Sequence, residues 1–254
     1  MRGTVTIGRL YGIRIGVHIS WFAVYAFVTF ALASSLTTVP RPQAIGLGAV
    51  CALGLFASVV VHELAHALTA RRFGVRTDAI TLFLFGGVAL LDEEPATPRA
   101  DALVAVAGPA ASAVLGLLGL GILAALERFA HGPASDAPAL FIAYFAVANG
   151  VLAVFNLLPA FPMDGGRVLR DILWHRSGDV RRATRFAARV GIGFATAFVL
   201  AGVVLVAVTR DPLSSWYVVL GGFLLRQSWL QARAASEVPA PIALRPDVEV
   251  GAAA

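Results

Sequence analysis

Apolar residues in this chain come in long runs, not in the alternating or half-helix patterns that mark the surface elements of a soluble domain. Windows of about 19 residues predict helical spans at 17–36, 44–69, 102–126, 139–158, 190–209 and 213–231, each near the roughly 20 apolar residues that a bilayer crossing needs. Two segments break the pattern. Ile80 to Leu91, ITLFLFGGVALL, is apolar but too short to span, and Gly86-Gly87 at its middle, where a two-residue turn would sit, predicts a β-hairpin dipping into the membrane. Unpaired backbone groups are costly in hydrocarbon, so such a hairpin must lean on helices or line a wet cavity, and its free edge can accept another strand. In 166–189, Val168, Leu169, Ile172 and Leu173 lie at helical spacing opposite Arg167, Arg170 and Arg176, which predicts an interfacial amphipathic helix. Gly108, Ser112 and Gly116 recur every four residues in the third span and read as a close-packing face with no chemistry assigned. Beyond a core of 1–235, the proline- and alanine-rich stretch 236–254 has no apolar period and reads as a linker or disordered tail. The fold class expected is an all-α polytopic membrane protein with about six transmembrane helices and one small embedded β-hairpin.

Composition supports this. The chain has 254 residues, 58% hydrophobic and 14% charged, where an ordinary globular domain is about a quarter charged, and its mean hydropathy is +0.80. A net charge of +5 raises nucleic acid as a partner, but the basic residues are all arginine and lie in short clusters between apolar runs, so they read as topology signals and no nucleic-acid partner is expected. With the N-terminus in the cytosol, seventeen of the 20 basic residues fall inside and only Arg41, Arg128 and Arg210 outside, a strong positive-inside bias. The expectation is a multi-pass protein of the cell membrane with both termini cytosolic. Ala31-Leu32-Ala33 resembles a signal cleavage site, but its apolar stretch is longer than the usual signal core, so a retained span is expected. Cys51, the single cysteine, cannot form an intramolecular disulfide and reads as a small buried apolar residue.

The second span carries Val61-His62-Glu63-Leu64-Ala65-His66, an H-E-x-x-H motif. On a helix, His62 and His66 are about 40° apart and one turn along, so both imidazoles can reach one ion, with Glu63 beside them as general base. An ionisable glutamate and two histidines inside a span need a partner or a wet cavity. A catalytic zinc usually has three protein ligands. Thr69 and Arg72 stand where an extended motif would place its glycine and third histidine, so that route is closed. Glu93 and Glu94 are candidates by analogy with soluble zinc peptidases. Asp164 is the better one: it follows Asn156-Leu157-Leu158-Pro159-Ala160-Phe161-Pro162-Met163, where two prolines end the fourth span at the same expected depth as the histidines. His18, at the start of the first span, reads as an interfacial or packing residue, His131 and His175 as solvated, Asn149 as an interhelical hydrogen bonder, and Asp171 and Asp179 as surface charge.

H-E-x-x-H in one span and N-x-x-P-x-x-x-x-D-G at the end of a later one resemble the site-two protease family of intramembrane zinc metallopeptidases. The likeness continues in Val17-His18-Ile19-Ser20-Trp21, Phe85-Gly86-Gly87, Ala107-Gly108-Pro109 and Asp164-Gly165-Gly166-Arg167-Val168, over roughly residues 5–230. The resemblance implies that His62, His66 and Asp164 hold Zn2+ and that Glu63 activates water for attack on a peptide bond. It also implies that Asn156 hydrogen-bonds the substrate backbone or the tetrahedral intermediate, and that Phe85, Gly86 and Gly87 hold an unwound transmembrane substrate as an added strand. The partners expected are such a substrate and the lipid bilayer, with self-association open. Only a short connection joins spans three and four, too short for the PDZ insert of some members, and no tandem CBS domains follow span six, which leaves regulation by such modules in doubt. Two other readings use the same polar cluster: an ion or metal transporter, against which stands the lack of repeated halves, and a catalytically silent scaffold, against which stands the intact Glu63.

Overall fold

The computed structural model describes residues 3–84, 86–91, 95–129, 136–211 and 214–237. In chain order the elements are β1 (Thr4–Leu10), β2 (Ile13–His18), α1 (Ser20–Ser35), α2 (Arg41–Arg72), β3 (Thr77–Phe83), β4 (Gly86–Leu91), α3 (Pro98–Phe129), α4 (Asp136–Asn156), α5 (Asp164–Ser177), α6 (Val180–Thr209) and α7 (Ser215–Glu237). Four helices are long and apolar enough to cross a membrane, at Arg41–Arg72, Pro98–Phe129, Ala137–Asn156 and Val180–Thr209, while α1 is apolar but only 16 residues long. Large apolar side chains such as Leu117, Val147, Leu200 and Val208 stand exposed along these helices, as lipid-facing residues do when acyl chains replace water as the solvent.

The strands form one four-stranded sheet in the order β1-β2-β3-β4, with β2 and β3 parallel and both outer pairs antiparallel. The first two strands are not among the sequence expectations. Ile13, Ile15 and Val17 are buried and alternate with Arg14 and Gly16; this period of two is too short to register in a 19-residue window, and it moves Val17 and His18 from the expected first span into β2. Ile13, Ile15 and Ile80 pack on Ala67, and Val17 and Leu82 on Phe56 and Val59. The inner face of the sheet therefore lies along the same part of α2 that carries the H-E-x-x-H motif.

β3 and β4 pair antiparallel, but in a register that does not place a turn at the glycines. Phe83 pairs with Gly86 and Leu82 with Gly87, so the two glycines open β4. The expected amphipathic helix over 166–189 is likewise two elements. Gly178 ends α5 and Asp179 caps α6, accepting the backbone N–H groups of Arg181 and Arg182 at 2.9 Å each, a local stop and start that overrides the apolar period. α6 consequently begins ten residues before the expected span. Helix α7 runs to Glu237; the rest of the expected tail, together with Phe85, Glu93, Glu94 and His131, lies outside the described residues.

Between α4 and α5 the chain makes a turn in which Ala160, Phe161 and Met163 are buried. Phe161 and Met163 pack against α6 and α7, and Ser228 of α7 donates its hydroxyl to the Phe161 carbonyl at 2.6 Å. The two outer helices thus fix the loop that delivers Asp164 to the first turn of α5.

Candidate metal centre

Two histidines one turn apart on α2 and an aspartate 102 residues after the first of them meet in the interior. His62 Nε2 and His66 Nε2 are 3.1 Å apart, and Asp164 Oδ2 lies 3.3 Å from the first and 3.2 Å from the second. All three residues are almost fully excluded from solvent. Ligands about 2.0–2.1 Å from a tetrahedral zinc lie about 3.3–3.4 Å from one another, so the donor triangle has the right size for a single small ion. The imidazoles are already aimed. His66 Nδ1–H donates to the Val104 carbonyl at 2.6 Å, and His62 Nδ1 meets Ser112 Oγ at 2.9 Å. A carbonyl can only accept, so a neutral His66 turns a bare Nε2 toward another acceptor, the Asp164 carboxylate. With His62 in the tautomer that donates Nδ1–H to Ser112 Oγ, three acceptor atoms face one another at this spacing and repel unless a cation lies among them. The donor set therefore fits a divalent metal ion, and among the described residues His62, His66 and Asp164 form the group able to hold one.

Helix α3 makes this approach feasible through Gly108. A Cβ at that position would lie 2.2 Å from His66 Nε2 and 2.6 Å from His62 Nε2, well inside van der Waals contact. The Gly108–Ser112 step, read from sequence as packing alone, is instead a wall of the centre: Gly108 leaves room for the imidazoles and Ser112 holds one of them. Gly116 does serve as packing, with the backbone of Ala146 and Gly150 close by on α4.

Glu63 is half-buried on the side of α2 next to the ligands, within electrostatic reach of His62, His66, Asp164 and Arg167. Gly87 of β4 lies directly over it. A Cβ there would fall 2.6 Å from Glu63 Cγ and 3.1 Å from Oε1. The edge strand thus approaches the carboxylate as closely as backbone can, which explains Gly87 better than a turn does.

The carboxylate of Asp164 is braced from α3 through arginine. Arg167 Nη2 donates to Asp101 Oδ1 at 2.6 Å while its Nη1 lies 3.9 Å from Asp164 Oδ1, the oxygen not facing the histidines. Arg170 also pairs with Asp101, and through Nε with Asp171 at 3.0 Å. Asp101 and Asp171 are fully buried, so the sequence expectation of a surface charge at Asp171 does not hold. Asp101, Val104, Gly108 and Ser112 follow one another at three- and four-residue steps and share one face of α3. That spacing was the available signal for a site-facing helix, but Val104 acts through its main chain and leaves no mark in residue identity.

Asn156 sits at the end of α4 and donates to the Leu152 carbonyl at 2.9 Å; the structure does not bring it into hydrogen-bond contact with the three ligands. Asn149 is fully buried and donates to Ser58 Oγ at 2.9 Å, joining α4 to α2 as expected of an interhelical hydrogen bonder. His18 Nδ1 bonds Ser20 Oγ at 2.8 Å, and that oxygen accepts the N–H of Leu84 at 3.2 Å, a local tie between the start of α1 and the end of β3.

The chain is similar to known proteins throughout the region that builds this centre. A protein of Synechocystis sp. named as a zinc metalloprotease is 38% identical over 238 residues, covering 92% of this chain and 61% of the relative. Rip3 of Mycobacterium tuberculosis, also named as a zinc metalloprotease, is 38% identical over 242 residues, covering 93% of this chain and 59% of its own length. The chain thus spans about three-fifths of these relatives. The solved structure of the site-2 protease from Methanocaldococcus jannaschii superposes with a TM-score of 0.63 at 27% identity, covering 95% of this chain and all of that one. The description "Peptidase family M50" matches residues 50–133 and 129–200, stretches that hold both histidines, Glu63 and Asp164, and the chain belongs to that family.

Proposed function

We propose that this protein is an intramembrane zinc endopeptidase that hydrolyses peptide bonds in or near transmembrane segments of other membrane proteins. The observation that carries this reading is the convergence of His62, His66 and Asp164 within a 3.3 Å triangle, with Glu63 beside it and an edge strand above. His62, His66 and Asp164 would hold the zinc, which when bound would supply a Lewis acid able to polarise a carbonyl and acidify water. Glu63 takes the proton from the attacking water and returns it to the leaving amine. β4 closes one edge of the sheet, and its backbone groups on that side are available to an extended substrate segment. Gly87 sets the segment's height above Glu63, and Asn156, near the end of α4, is the donor assigned to the substrate backbone. A helical segment hides its peptide bonds in its own hydrogen bonds, so it unwinds before it joins the edge. Phe85 belongs to the same substrate-holding stretch. In the bilayer, α1 and α7 complete six crossings with both termini in the cytosol, following the arginine distribution.

Glu63→Gln is expected to abolish cleavage of a model single-span substrate while the protein keeps stoichiometric zinc, whereas Asp164→Ala loses both. Metal analysis of the purified variants separates the roles. Loss of zinc from Glu63→Gln, or full zinc in Asp164→Ala, overturns the assignment. Gly87→Val is expected to retain zinc but cut at least about tenfold more slowly, because a branched side chain displaces Glu63 and crowds the strand edge. Wild-type rates in that variant would remove β4 from the mechanism.

A further inference from the structure

A cleft lies away from the metal centre, between the last turn of α5 and the first three turns of α6. It has a volume of about 660 Å³ and is lined by Arg176, Arg182, Arg185 and Arg189, with Leu173 and Phe186 as its large apolar residues. Arg182, Arg185 and Arg189 follow at three- and four-residue steps, which puts their side chains on one face of α6, and Arg176 faces them from α5. Among the described residues no carboxylate forms an ion pair with any of these four. Arg185 donates to the Ala235 carbonyl at 3.5 Å. The acidic residue at the turn, Asp179, caps the backbone N–H groups of Arg182 and Arg181, and these bonds, with the nearby charges of Arg185 and Arg181, hold its carboxyl below the usual carboxylate range.

Four arginines lining one cavity, with the carboxylate of Asp179 beside Arg185 offsetting only part of their charge, form a receptor for an oxyanion, and guanidinium forks match phosphate oxygens in pairs. The position along α6 indicates the source of that phosphate. Immediately after Arg189 the helix turns apolar and stays so from Val190 to Val208. The arginine row covers about 10 Å of helix rise, comparable to the thickness of one headgroup layer. Leu173 and Phe186 add apolar surface beside the charged groups, as a molecule with a phosphate head and a hydrocarbon body requires. We propose that this cleft binds the phosphate headgroup of an anionic phospholipid, and so seats α5, the helix that carries Asp164, against the membrane surface.

The test titrates the purified full chain in neutral detergent with short-chain phosphatidylglycerol, short-chain phosphatidylcholine and inorganic phosphate, with bound molecules counted by native mass spectrometry. Phosphatidylglycerol is expected to bind about tenfold or more tightly than phosphatidylcholine, and the combined R176Q/R182Q/R189Q variant to lose that preference. A charge-matched control, R9Q/R72Q/R76Q, removes three exposed arginines elsewhere and is expected to keep it. Should the triple cleft variant not fold, R176Q and R189Q made singly, one on each wall, are each expected to weaken binding several-fold. Equal loss in the cleft and control variants would mean diffuse surface charge and would overturn the site. Inorganic phosphate binding as tightly as the lipid, with the same arginine dependence, would leave a phosphate site but overturn the lipid as its occupant.

Discussion

The two ends of α5 handle positive charge in opposite ways. At its first turns Arg167 and Arg170 are paired with Asp101, Asp164 and Asp171, and two of those carboxylates are fully buried. At its last turn and across the cleft, Arg176, Arg182 and Arg189 are exposed and form no ion pair among the described residues. The difference follows from desolvation. Buried charge is tolerated only when compensated, and the compensating geometry then fixes side-chain position. Exposed charge keeps its hydration and stays available to a ligand. One helix therefore uses arginine as a brace at the metal centre and as a binding group about three turns away.

The sharpest way to probe the braced end is to disturb the space rather than the charge. Gly108→Ala places a methyl 2.2 Å from His66 Nε2, so metal binding is expected to fall by more than about 100-fold with cleavage lost in parallel. Zinc titration of the purified variant checks it, and near-normal affinity would mean that α3 yields more easily than a packed interior should.

A smaller effect is expected from Asp101→Asn, which keeps the shape but removes the charge that anchors Arg167. Outer-sphere partners of this kind typically change metal affinity about 10- to 100-fold, and leaving two arginines under-compensated is expected to cost about 3–5 kcal/mol of stability. Zinc affinity and thermal unfolding measured together separate the two. A stability loss with unchanged affinity would make the brace purely structural. Smallest of all, R176Q/R182Q/R189Q is expected to alter zinc affinity by less than about twofold, because exposed charges beyond a Debye length are screened. A larger change would show that the two ends of the helix are coupled, and would undo the contrast drawn between them.

Legibility differed between parts of the centre for physical reasons. His62, Glu63 and His66 were evident because a helix converts a four-residue spacing into a shared face, whatever surrounds it. Asp164 could be inferred because prolines end α4 and expose irregular backbone at a depth that span-counting estimates. The other contributors left weaker marks. Ser112 looked like packing because a small hydroxyl serves both purposes, and the Val104 carbonyl is common to every residue type. Asp171 looked like a surface charge because the network that buries it runs through Arg170 to Asp101, which lies on another helix, far earlier in the chain. The strands β1 and β2 were missed because their apolar alternation is brief and interrupted by arginine and glycine.

The sequence by itself determined the local geometry: apolar runs long enough for membrane helices, two histidines and a glutamate placed by helical period, and arginines grouped at span ends. These depend on neighbours within a few residues, where covalent geometry leaves little choice. Only the tertiary structure decided which helix face meets which. It put Gly87 above Glu63, cleared space for the imidazoles at Gly108, joined Arg167 to Asp101 and opened the arginine cleft between α5 and α6. Such contacts depend on side-chain volume and charge compensation between segments remote in sequence, and a one-dimensional pattern does not encode which distant surfaces will fit.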